Sequence, residues 1–163
     1  FVSALANAEN SVKAGFDKVS KLWSPHSSLE GGTETLAFGH KLTTEEVKSG
    51  VVRVGAKDVD FKKGLTEAQA KVLLTQDIES HKDKVDVKDF DELPDKYQKV
   101  LINIAFNTGS VKESKWPSLL AAMRKGDDSK VREEMLTSFK DKSGKRELLT
   151  DRRDDIADAL GIK

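Results

Sequence analysis

Residues 23–43, WSPHSSLEGGTETLAFGHKLT, contain the local signals that decide the fold of this chain. Residues 23–32 are rich in turn formers, and residues 33–38 then roughly alternate polar and apolar side chains. A glycine pair before a run with threonines and an aromatic residue predicts a loop that enters a β-strand, which ends at Gly39. Residues 41–46 predict the cap of a short helix. We expect this hairpin to line a cleft, because a core has little need of its Thr, Glu and His side chains.

Composition and charge limit the class of protein. The 163 residues suit one domain or two small lobes with a shared core, and 37% hydrophobic residues suffice for a packed interior. Lysine plus arginine and aspartate plus glutamate both total 28, so the formal net charge is zero. Strong nucleic-acid binding usually needs a basic surplus, and we therefore expect no nucleic-acid partner. The sequence has no cysteine, which excludes disulfide bonds, and no apolar run approaches the length of a membrane span.

The N-terminal segment predicts a helix that carries one acidic residue of interest. Apolar side chains recur at helical spacing through residues 1–23, and Gly15 is expected to weaken or end the helix. Glu9 lies at the edge of the apolar stripe. Contact with apolar surface raises the pKa of a carboxyl group, which suits a proton donor. A solvated helix glutamate is the alternative interpretation.

The middle of the chain predicts a second hairpin and two helices. Residues 51–61 predict a small hairpin. Thr66 and Gln69 match a capping box at the start of the next helix. Residues 97–106 are apolar on nearly every side, so we expect them to form a buried central helix that ends near Gly109.

The remaining segments complete an α+β fold. Further helices are expected over residues 116–126, 127–139 and 146–160. We therefore predict a single domain, residues 1–163, with a β-containing N-terminal lobe at about 1–64 and a helical lobe at about 65–163.

Five segments together resemble the phage-type lysozymes, glycoside hydrolase family 24. Residues 35–40, TLAFGH, are similar to the T-I-G-x-G-H segment of that family, with Ala37 in place of a glycine. The other segments follow in the family's order: Glu9, then residues 64–78, 101–109 and the basic pairs at 145–146 and 152–153. The likeness spans nearly the whole chain. It implies a lysozyme-like fold, in which a small N-terminal β-hairpin lobe packs on a mainly helical lobe around a long buried central helix.

The resemblance implies a muramidase, which hydrolyses the β-1,4 bond between N-acetylmuramic acid and N-acetylglucosamine in bacterial peptidoglycan. Glu9 is then the general acid that protonates the leaving oxygen, and Thr35 helps to hold the attacking water. Family members usually have a second carboxylate a few residues before that threonine, and its distance from the acid determines the stereochemical outcome. We expect Glu30 in that role, with Asp17 as the alternative.

Other residues have supporting roles in this interpretation. By the resemblance, His40 and Asp77 form an ion pair that ties the hairpin lobe to the next helix, and Asn107 is a polar residue at the cleft. Trp23 lies in the hairpin loop and is a candidate for stacking on a sugar ring, although packed tryptophans are commoner. His26 and Ser28 lie where a group that holds water is expected.

Neither a metal site nor a cofactor is expected. The three histidines, His26, His40 and His81, are dispersed, and no cysteine accompanies them.

Three functional classes remain open at this point. The first is the active muramidase. The second is a lytic transglycosylase on the same bond, in which Glu9 acts alone as acid and then as base because no second carboxylate reaches the cleft. The third is a catalytically inactive peptidoglycan-binding module, which is considered because Glu9 and Thr35 are separated by more residues than is usual in the family.

The inserted residues 23–32 suggest a biological setting. They are similar to an insertion in the lysozyme domains of virion-associated phage proteins, which open the wall locally during genome entry. The chain begins with Phe1 and shows no signal peptide, which fits a domain of a larger virion protein that acts in the host periplasm. The expected partners are bacterial peptidoglycan and the rest of that virion protein. A free endolysin made in the host cytoplasm is the alternative.

Overall fold

A computed structural model of the chain describes residues 1–10, 13–27, 34–140 and 146–163, and for residues 138–140 and 146–147 it describes the backbone alone. Its helices are α1 (Val2–Glu9), α2 (Thr44–Ser49), α3 (Glu67–Lys82), α4 (Asp95–Thr108), α5 (Pro117–Lys125), α6 (Asp128–Glu134) and α7 (Thr150–Ala159). Its strands are β1 (Phe16–Asp17), β2 (Leu22–Trp23), β3 (His26–Ser27), β4 (Glu34–Leu36), β5 (His40–Lys41), β6 (Val51–Val54), β7 (Lys57–Asp60), β8 (Val85–Asp86), β9 (Val111–Lys112), β10 (Ser138–Lys140) and β11 (Arg146–Leu148). The predicted α+β class is confirmed.

The described residues form two compact units. The N-terminal unit comprises Ala6–Asp77 with Val2, and the C-terminal unit comprises Ile78–Lys163 with Phe1 and Ser3–Leu5. The sequence placed the division between lobes near residue 64, whereas the two units divide within α3. The first turns of α3 therefore belong with the β-hairpins that precede them.

Small antiparallel sheets form the framework of the N-terminal unit. Strands β1 and β2 pair, β3, β4 and β5 form a three-stranded sheet, and β6 pairs with β7. In the three-stranded sheet His26 is opposite Thr35, and Leu36 is opposite His40. The second hairpin predicted over residues 51–61 is confirmed as β6–β7.

The first helix is shorter than the apolar spacing of residues 1–23 predicts. Asn10 accounts for its end: Oδ1 accepts the backbone N–H of Ala14 at 2.8 Å, and Nδ2 donates to the carbonyl of Ala14 at 2.9 Å. These bonds replace helical backbone hydrogen bonds and so end the helix. Phe16 then belongs to β1, and the helical interpretation of Val19 is wrong, because this residue is 92% exposed in the β1–β2 loop.

Capping boxes begin the two helices that follow the hairpins. The predicted box at α3 is present, with Thr66 N–H donating to Gln69 Oε1 at 2.8 Å and Gln69 N–H donating to Thr66 Oγ1 at 3.2 Å. The start of α2 has the same arrangement between Thr43 and Glu46. Each box satisfies two backbone donors that the first turn of a helix leaves open.

The C-terminal unit contains the predicted buried helix, α4. Val100, Leu101 and Ile104 have no solvent exposure. The helix ends at Thr108 and is capped by Gly109, which has φ of +87° and donates its N–H to the carbonyl of Ala105. A left-handed backbone conformation directly after a helix favours glycine, as the sequence indicated.

The last two helices are shorter than predicted. The helix expected over residues 127–139 ends at Glu134, and the helix expected over 146–160 begins at Thr150. Between them, Ser138–Lys140 and Arg146–Leu148 form the antiparallel pair β10–β11. None of the helices in the described parts of the chain is both long and apolar enough to cross a membrane.

Candidate active site

Glu9 is the last residue of α1 and lies next to the turn between β4 and β5. It is half-buried, and its Oε1 atom is inaccessible to solvent. A Cβ atom built on Gly39 would lie 3.2 Å from Glu9 Oε2, tighter than nearly all real Cβ contacts. The absence of a side chain at Gly39 therefore permits the close approach of the carboxylate to the backbone of the turn.

Asn10 connects the end of α1 to the same turn. Its side chain is 7% exposed, and Nδ2 donates to the carbonyl of Ala37 at 2.8 Å. Ala37 has φ of +54° and Gly39 has φ of +92°. The left-handed conformation costs a residue with a Cβ atom, such as Ala37, about 1–2 kcal/mol.

Thr35 and His26 face each other across β4 and β3. Thr35 is 4% exposed, and its hydroxyl donates to the carbonyl of His26 at 3.1 Å. The same hydroxyl oxygen lies 3.3 Å from Nδ1 and 3.5 Å from Nε2 of the His26 imidazole. The structure thus brings together the predicted water-holding threonine and a histidine that the sequence placed near the water.

His40, at the start of β5, lies between two carboxylates. Its Nδ1 is 3.0 Å from both oxygens of Asp77 on α3, and its Nε2 is 3.3 Å from Glu46 on α2. Burial alone would lower the pKa of His40, but the hydrogen bond and charge of Asp77, followed by those of Glu46, outweigh burial and raise it above its ordinary value. The predicted contact with Asp77 is present, and the cluster ties β5 to both following helices.

The second carboxylate has two sequence candidates. Asp17 is exposed, and its Oδ1 accepts the backbone N–H of Val19 at 2.7 Å and of Ser20 at 3.4 Å. The bond from Val19, followed by those from Ser20, holds the pKa of Asp17 below its ordinary value. These contacts give Asp17 a structural role in the β1–β2 turn. Glu30, the first choice, lies outside the described residues.

The structure places Trp23 in the core and not on a sugar-binding surface. The residue is 1% exposed, and its ring packs against Phe16 and Phe38 with centroid distances of 4.9 and 4.8 Å. The indole Nε1 donates to Glu67 Oε2 at 2.8 Å, and the backbone of Trp23 exchanges two 2.8 Å hydrogen bonds with Leu65. A sugar cannot reach a ring face covered in this way, and Trp23 instead connects β2 to the start of α3.

Asn107 lies in the last turn of α4, within the C-terminal unit. It is half-buried, and its Nδ2 donates to Oγ1 of Thr137 at 2.8 Å, which fixes the orientation of the amide. Within the described ranges, no three His, Asp or Glu side chains are grouped so that they could hold a metal ion.

Two residues of the site were missed in the sequence. Asn10 follows Glu9 directly, and an asparagine at the end of a helical stripe is a common signal for a side chain that bonds backbone. Glu46 is the third residue after Thr43, which is the spacing of a capping box. Both signals indicate local structure, and neither indicates a contact with the hairpin.

Comparison with known proteins identifies the family. The model of the family described as Phage lysozyme matches residues 24–155, a range that includes Thr35, His40 and Asp77 and begins after Glu9. The chain is 32% identical over 133 residues to the peptidoglycan hydrolase gp36 of Enterobacteria phage SP6. The match covers 77% of this chain and 13% of that relative, so the chain spans a small part of the relative's length. No solved structure matches the chain. The α+β fold is lysozyme-like, and the chain belongs to the phage lysozyme family.

Proposed function

We propose that the chain is a muramidase, which hydrolyses the β-1,4 bond between N-acetylmuramic acid and N-acetylglucosamine in bacterial peptidoglycan. Its family and its likeness to a protein named as a peptidoglycan hydrolase support this substrate. The observation that carries the proposal is the position of Glu9 beside Gly39, in the turn that follows the strand of Thr35. An acid with one oxygen shielded from solvent, next to a β-ribbon with a buried threonine, suits glycosidic bond cleavage.

Glu9 acts as the general acid in this mechanism. It gives its proton to the glycosidic oxygen as the bond from C1 to that oxygen breaks, and a water molecule forms a bond to C1 and gives up one proton to a base. Thr35 supports the water, because its own proton is directed to the His26 carbonyl and its oxygen remains an acceptor.

The second carboxylate in the proposal is Glu30, which directly precedes Gly31 in the inserted segment. It acts as a base or stabilises the positive charge that develops on the sugar ring. Asp17 is the alternative, although its hydrogen bonds to Val19 and Ser20 support a structural role.

The biological setting that we propose is a domain of a larger phage virion protein that opens the wall from the host periplasm. The length of the SP6 relative, of which the match covers 13%, supports a larger protein. A free endolysin made in the host cytoplasm is the alternative. Mass determination of the polypeptide present in purified virions distinguishes the two, since an endolysin is absent from the particle.

The test of the activity is Glu9→Gln. Loss of the acid should reduce the release of reducing ends from purified peptidoglycan, and the lysis of outer-membrane-permeabilised Gram-negative cells, by about 10²–10⁴-fold. Glu45→Gln, at an exposed position of α2, is the matched control and should retain wild-type activity. Full lysis by Glu9→Gln, or no release by the wild type, would refute the proposal.

The products separate the proposed hydrolase from the other two classes. Mass spectrometry should find reducing ends on the released muropeptides. Anhydromuramic ends would identify a lytic transglycosylase instead. Binding of the protein to peptidoglycan without any soluble fragments would identify an inactive wall-binding module.

A further inference from the structure

We propose that His26 is a catalytic residue whose Nε2 atom accepts a proton from the attacking water, while Ser27 and Thr35 hold its imidazole in place. This inference rests on the proposed glycosidase function. In this inference the imidazole of His26 is the base, and the second carboxylate stabilises the positive charge that develops on the sugar.

The exposure of the two side chains determines which one a water molecule meets. Thr35 is 4% exposed, so only a small part of it meets solvent. His26 is half-buried and is therefore more exposed than Thr35. A water that approaches this pair contacts the imidazole before it reaches the threonine oxygen, and the histidine is the better placed of the two to take a proton.

The hydrogen bonds of His26 indicate its tautomer. Nδ1 lies 3.2 Å from the carbonyl of Ser27, a group that can only accept, so we assign the ring proton to Nδ1. Nε2 then keeps its lone pair, which is the form in which a neutral imidazole accepts a proton. The hydroxyl of Thr35 gives its own proton to the carbonyl of His26, so it does not use that proton on Nε2.

The imidazole packs against residues that are hydrogen-bonded to the neighbour of the proton donor. A Cβ atom built on Gly15 would lie 2.8 Å from Cδ2 of His26, so the ring packs on backbone that only a glycine leaves open. Ala14, the residue before this glycine, is bonded twice by the side chain of Asn10, and Asn10 follows Glu9. His26 and Glu9 are thus held by the same segment of the N-terminal unit.

The reaction step balances with these two residues. The water oxygen forms a bond to C1 of the sugar, and one of its protons passes to Nε2 of His26. The bond from C1 to the leaving oxygen breaks with its electron pair on that oxygen, which takes the proton of Glu9. The imidazolium and the carboxylate then exchange a proton with solvent, which restores both groups.

Two substitutions separate proton transfer from hydrogen bonding. In His26→Gln an amide oxygen reaches the position of Nε2, where it can bind the water but cannot take its proton. In His26→Asn an amide N–H can still donate to the Ser27 carbonyl, and nothing replaces Nε2. We expect both variants to lower kcat for reducing-end release by about 10²-fold or more. KM should change by less than about threefold, since the ground-state contacts with the glycan remain.

The controls distinguish the failure of this inference from the failure of the proposed function. His81→Gln replaces a half-buried histidine of the C-terminal unit and should keep wild-type kcat. Active wild type with inactive Glu9→Gln establishes the glycosidase, and retention of kcat within about threefold by His26→Gln then overturns the role of His26 alone. Loss of activity in Glu30→Gln together with retention in His26→Gln would assign the base to the carboxylate. A wild type that releases no reducing ends overturns both proposals.

Thermal melts of each variant exclude loss of the fold as the cause of a low kcat. A loss of kcat in His81→Gln equal to that in His26→Gln would also overturn the role of His26.

Discussion

Nδ1 of His40 lies 3.0 Å from both carboxylate oxygens of Asp77, and the two side chains are 15% and 18% exposed. Although burial opposes it, this contact raises the pKa of His40 above its ordinary value of 6.5. The folded state therefore binds the imidazole proton more tightly than the unfolded state does. The resulting stabilisation is complete below the unfolded-state pKa and is lost as the pH rises through the folded-state pKa.

Asp77→Asn tests this linkage. We expect it to lower the free energy of unfolding by about 1–3 kcal/mol at pH 6, where the imidazole is charged, and by clearly less at pH 9, where it is neutral. Glu46 stays ionised at both pH values because, although burial opposes them, its hydrogen bonds with Thr43 and the charge of His40 hold its pKa below its ordinary value. Urea unfolding at the two pH values measures the difference. An equal loss at pH 6 and pH 9 would contradict a charged His40–Asp77 pair.

Asp58→Asn is the matched control for that measurement. Asp58 is paired with Arg53 at 2.8 Å, but the two side chains are 68% and 58% exposed. Ion pairs between exposed side chains contribute little to stability. We therefore expect the free energy of unfolding to change by less than about 1 kcal/mol at both pH values. A pH-dependent loss in this variant would show that any aspartate substitution in the unit produces the effect.

Asn10→Ala tests the connection between α1 and the hairpin turn. The substitution removes two part-buried hydrogen bonds to Ala14 and one buried hydrogen bond to Ala37, so the backbone groups of both residues lose these partners. We expect the free energy of unfolding to fall by about 2–4 kcal/mol, as judged from a lower urea midpoint with an unchanged slope. Asn10→Asp keeps the acceptor for the Ala14 N–H and loses both donated bonds, so it should also be destabilised. A change below about 0.5 kcal/mol in Asn10→Ala would show that water replaces these bonds.

The sequence predicted the helices and hairpins that depend on interactions between residues close together in the chain. The capping box of Thr66 and Gln69 needs residues three apart, and the apolar stretch that became α4 is continuous in sequence. The hairpin β6–β7 depends on neighbouring residues for the same reason. Periodicity and spacing are sufficient for such elements because all of their determinants lie within one window.

The inserted segment could not be predicted in this way. Strands β2 and β3 are two residues long, and the buried Trp23 forms hydrogen bonds with Leu65 and Glu67, which lie far away in sequence. The contact between His26 and Thr35 depends on the register of β3 and β4, which a single sequence does not specify. Contacts between residues far apart in sequence therefore explain why Trp23 was wrongly expected to stack on a sugar. They also explain why the sequence did not predict the contact between His26 and Thr35.

Gly39→Ala tests whether the turn positions the acid. The added Cβ atom would lie 3.2 Å from Glu9 Oε2, so the carboxylate must move, and φ of +92° strains any residue other than glycine. We expect a loss of about 1–2 kcal/mol in the free energy of unfolding and a fall of about 10- to 100-fold in kcat for peptidoglycan. Gly126→Ala is the matched control, because Gly126 has φ of +71° and a Cβ atom there meets nothing within 4 Å. It should lose similar stability through backbone strain and keep its kcat. Equal kcat values for the two variants, measured well below their melting temperatures, would show that contact with Gly39 does not position Glu9.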